Sequence, residues 1–182
     1  EGQLESAVDD LKHAIQLDSE NIDAYVILGN VFSRLGNAEL AMENYSQAID
    51  LDSENPDLYF FRGVASRESG DVEFALEDLN KALELGLNSS LAFAQRGIAY
   101  SETGEHTKAI GDFDRAIELG FDNIPIDLRR GVYNNRANEE QSALQQDAQV
   151  FLNRGISYNA IGNLEVAAKD FDQAMTMYDQ LI

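Results

Sequence analysis

Between Ile22 and Asn55 the apolar residues fall three and four apart: Tyr25, Leu28 and Phe32, then Ala41, Tyr45 and Ala48. That spacing returns a side chain to one face of a helix every turn, so the stretch predicts two amphipathic helices and no strand, whose period would be two. Between them Leu35-Gly36-Asn37 offers a glycine able to end one helix in the left-handed conformation and an asparagine able to start the next. The same punctuation recurs at Ser69-Gly70-Asp71, Thr103-Gly104-Glu105 and Ile161-Gly162-Asn163. Each stretch therefore predicts a helical hairpin. The connections between hairpins are short: LDSEN at Leu17 to Asn21 and again at Leu51 to Asn55, Leu85 to Asn88, and Leu119 to Asn123. Consecutive hairpins must stack directly on one another.

The pattern has a fixed period. Gly29, Gly63, Gly97 and Gly131 stand 34 residues apart, as do Ala7, Ala41, Ala75, Ala109 and Ala143, and Ala14, Ala48, Ala82 and Ala116. Small residues at these places let paired helices approach, while an aromatic at the fourth place of the unit (Tyr25, Tyr59, Phe93, Phe151) fills the wider gap. The second unit reads Tyr25, Leu28, Gly29, Phe32, Ala41, Tyr45, Ala48. This resembles the tetratricopeptide repeat family, whose unit of 34 residues carries an aromatic, a Leu-Gly pair, an aromatic, then Ala, an aromatic and Ala. The resemblance implies an all-α, right-handed superhelical solenoid of antiparallel helix hairpins, about five to six repeats in one domain, the first and fifth incomplete. The units are 1–21 (second helix only), 22–55, 56–89, 90–123, 124–147 (irregular) and 148–182. The family's proline near the end of the unit is replaced by Ser19, Ser53, Leu87 and Phe121, and Asp127 stands where the fifth unit should have an aromatic.

The period slips once. Arg62-Gly63, Arg96-Gly97 and Arg130-Gly131 keep the interval of 34, but Arg154-Gly155 follows after only 24. About ten residues are thus missing from the fifth unit's second helix, which predicts either a stub before a new unit at Ala148 or a loss of residues between about 143 and 148. Gly2 occupies the mid-unit place, so the chain opens on a second helix. Met175, Met177, Tyr178, Leu181 and Ile182 offer no polar cap, although solenoids need polar outer faces at their ends. Both ends point to a piece of a longer protein, or to self-association through uncovered faces.

One charged arrangement accompanies the repeat. Arg62, Arg96 and Arg154 take the family's core leucine place, and each has an aspartate sixteen residues on: Asp78, Asp112 and Asp170. The two places lie symmetrically about the mid-unit glycine and should face each other across the hairpin. A partly buried arginine needs such a carboxylate, so these are expected to be structural salt bridges.

Composition narrows the function classes. The net charge of -20, from 33 acidic and 13 basic residues, repels nucleic-acid phosphates and anionic lipid headgroups. No apolar run approaches the roughly 20 residues of a membrane span. The chain has no cysteine, which excludes disulfides and thiolate metal sites. His13 and His106 are far apart at outward places, and phosphate loops and catalytic motifs are missing, so neither catalysis nor a cofactor is expected.

The family resemblance implies a concave face formed by the first helices. Its fifth places are Val26, Phe60, Ala94, Leu128 and Leu152, and its ninth places are Asn30, Val64, Ile98, Val132 and Ile156. This is an apolar stripe, edged by Arg34, Arg67 and Arg136, and only Asn30 matches a carboxylate-clamping relative. The expected function is an adaptor or assembly scaffold that binds a partner peptide or helix in this groove, with Phe60 as its anchor. The alternative is the substrate-recognition region of a larger enzyme.

Overall fold

The computed structural model describes residues 2–120 and 139–181, and the side chains of residues 6–120 and 144–181. The described helices are α1 (Gly2–Leu17), α2 (Ile22–Arg34), α3 (Ala38–Leu51), α4 (Pro56–Ser69), α5 (Val72–Glu84), α6 (Ser90–Glu102), α7 (His106–Leu119), α8 (Glu139–Ala160) and α9 (Leu164–Asp179), and no strand occurs among the described residues. They fall into two compact units, one ending at Leu87 and the other beginning at Asn88.

In the first unit α2 pairs with α3 and α4 with α5, while α1 packs on α2 and α3 on α4. Local chemistry sets the helix ends. Asn21, Asn37 and Asp71 each accept a hydrogen bond from the backbone N–H three residues on, and Asn55 does so two residues on, ahead of Pro56 in the first turn. Gly70 closes α4 at φ 93°, where a Cβ would be strained, and the Asp71 N–H returns to the Ser66 carbonyl. The helices approach closely at Gly29, where a Cβ would lie 2.5 Å from the Tyr45 ring. Ala48, Ile49 and Leu58 form a buried cluster against which Ile22, Tyr25, Val26 and Tyr59 pack.

In the second unit α6 pairs with α7 and α8 with α9, and α8 lies against α7 and touches α6. Gly97 and Gly155 repeat the close approach, with Phe113 and Phe171 rings 2.8 and 2.7 Å from where a Cβ would stand. The unit boundary expected at Ala148 is not a turn. Helix α8 runs unbroken through it for 22 residues, against 13 each in α2 and α6. The stub of one hairpin and the first helix of the next are a single helix. The residues explain why: Glu139 to Ala160 contains no proline, and its one glycine is the packing glycine Gly155.

Candidate functional site

Three arginines fix how the hairpins close. Arg62 on α4 donates from Nε and Nη2 to the two carboxylate oxygens of Asp78 on α5, at 2.7 and 2.8 Å, and from Nη1 to Ser46 Oγ on α3 at 3.0 Å. Its guanidinium also lies over the Phe74 ring, 5.0 Å from the centroid. Arg96 on α6 donates from Nε and Nη2 to Asp112 on α7, both at 2.7 Å. Arg154 on α8 makes the same fork with Asp170 on α9, at 2.9 and 2.7 Å, and its Nη1 reaches Asp114 Oδ1 on α7 at 2.6 Å. All three aspartates of the forks are buried. Each arginine is held above its ordinary pKa, first by the hydrogen bond it donates to its aspartate, against the opposing effect of burial. These side chains are engaged inside the packing and join helices to one another. The sequence pattern led to the aspartates sixteen residues on. It did not lead to Ser46 and Asp114, although both stand at the same place of their units, directly after the aromatic that packs on the glycine.

The expected concave residues are distributed differently from the sequence reading. Phe60 has no exposed surface, and Val64 and Ala94 are only 5% and 4% exposed. Phe60 is therefore a core residue and not a surface anchor. The cause lies in α4 itself, where Leu58, Phe60, Phe61, Val64 and Ala65 are all buried: a helix apolar on adjacent positions is covered on more than one side. The Phe61 ring stacks on Tyr45 at 5.7 Å and meets Phe60 edge-on at the same distance. Val26, Ile98 and Leu152 are half-buried, Arg67 is half-buried, Arg34 is exposed, and Ile156 is 46% exposed. Asn30 accepts a hydrogen bond from Tyr45 Oη at 2.7 Å, so its amide oxygen serves the hairpin. Leu128, Val132 and Arg136 lie outside the described residues. His13 is exposed as expected, whereas His106 is half-buried with Nδ1 enclosed and without a hydrogen-bond partner. No group of residues suited to holding a metal ion occurs among the described residues.

A family model described as TPR repeat matches residues 1–36 and again 29–66. Over residues 1–66 the chain is similar to the tetratricopeptide repeat family. Solved structures extend the likeness of fold beyond those residues. A crystal structure of MamA is 20% identical, with a TM-score of 0.77 over 98% of this chain and 91% of that one. MamA from Desulfovibrio magneticus RS-1 is 15% identical, with a TM-score of 0.78 over 98% and 88%. The APC/C hetero-tetramer Cut9-Hcn1 is 19% identical, with a TM-score of 0.72 over 97% of this chain and 30% of that one. No curated protein matches. The fold class is an all-α solenoid of tetratricopeptide-like hairpins. Among the described residues no helix is long and apolar enough to cross a membrane.

Proposed function

We propose that this chain is an adaptor or assembly scaffold that holds a peptide or helix of another protein against the first helices of its hairpins. The observation that carries this reading is Ile156. It stands at the ninth place of its unit and is 46% exposed, whereas Val64 at the same place of an earlier unit is 5% exposed. Leu152, one turn before it on α8, is half-buried and extends the apolar contact, and exposed Asn159 borders it. Adjacent apolar side chains on an otherwise acidic surface favour a protein partner, and the net charge of -20 disfavours nucleic acid. Arg34 and Val26 on α2 form the corresponding partner-facing edge of the first unit. The family likeness supports the reading, as does the solution of one structural neighbour, Cut9, together with Hcn1 in a hetero-tetramer.

The test is photo-crosslinking in native extract. A benzoylphenylalanine at Ile156 should capture a discrete protein that the same group at exposed Glu165 on α9 does not capture. Equal capture from both places, or none from Ile156, would remove the first-helix face as the binding surface.

A further inference from the structure

We draw no further inference here: the strongest candidate, the two buried oxygens without a hydrogen-bond partner at α6, Ser89 Oγ at its N-cap and Gln95 Oε1 in its second turn, carries nothing because nothing among the described residues shows what would bind them.

Discussion

Arg62 and Arg154 hold equivalent places in two hairpins, and one difference between their surroundings lies at Nη1. Each clamps the aspartate sixteen residues on through Nε and Nη2. The remaining Nη1 meets a neutral hydroxyl, Ser46, in the first case and a second carboxylate, Asp114, in the other. The chain separations also differ, 16 residues to Ser46 and 40 to Asp114. Forty is the regular 16 plus the shortened interval of 24. The helix stacking is thus preserved across the slip in period, and the place in space is set by packing even where the spacing in sequence is not.

Removing the main aspartate should separate the two arginines most. Asp78→Leu leaves the Arg62 guanidinium, in a mostly buried place, with the Ser46 hydroxyl and ring faces but no bound carboxylate, which should cost about 3 to 5 kcal/mol in urea unfolding. Asp170→Leu should cost roughly 1 kcal/mol less, because Asp114 still neutralises Arg154. Equal losses would show that the second carboxylate contributes nothing.

A smaller effect is expected at the glycines beneath these pairs. Gly155→Ala places a Cβ 2.7 Å from the Phe171 ring and should cost about 2 kcal/mol by overpacking, whereas Gly63→Ala meets Leu79 at 3.0 Å and should cost less. A reversed order in thermal melts would mean that the ring yields more readily than the leucine.

Alkaline titration examines the first unit alone. Burial, with the nearby charge of Glu68 a lesser cause, raises the Tyr45 hydroxyl beyond the ordinary phenol value of about 10. The folded state then keeps a proton that the unfolded chain releases, so this stabilisation is complete below about pH 10 and is lost as pH rises through the folded value. Tyr45→Phe should reduce the steepness of the fall in Tm above pH 10, by up to about 1.4 kcal/mol per pH unit. An unchanged slope would exclude Tyr45 as its source. The smallest expected difference lies at the third donors. Asp114→Asn should cost under about 1 kcal/mol, with the cost shrinking in concentrated salt, and Ser46→Ala should show no such salt dependence.

Much of this was legible from the chain alone. The glycine and alanine columns, the caps at Asn37 and Asp71 and the Arg–Asp interval of sixteen all depend on contacts inside one hairpin, where sequence distance and spatial distance agree. What depended on contacts between hairpins was read less well. The place of Phe60 in its unit points to a surface, whereas the adjacent Phe61 and the Val64-Ala65 pair make α4 apolar on several sides. The unbroken α8 was hidden by the register, which suggested a boundary at Ala148, while the lack of any helix-breaking residue around it argued for continuity. The Asp114 pairing is not legible in the repeat, because its partner lies 40 residues away and the regular interval is 16.

The three-way grip of Arg154 also bears on how this part of the molecule comes apart. One guanidinium ties α7, α8 and α9 together, and α8 crosses without interruption the point where a repeat array would ordinarily be free to open. In the language of a one-dimensional lattice, the coupling between neighbours is strengthened at that point while an independent site is removed. These three helices should therefore open as one cooperative block, with amide protons in their central turns exchanging at a common rate.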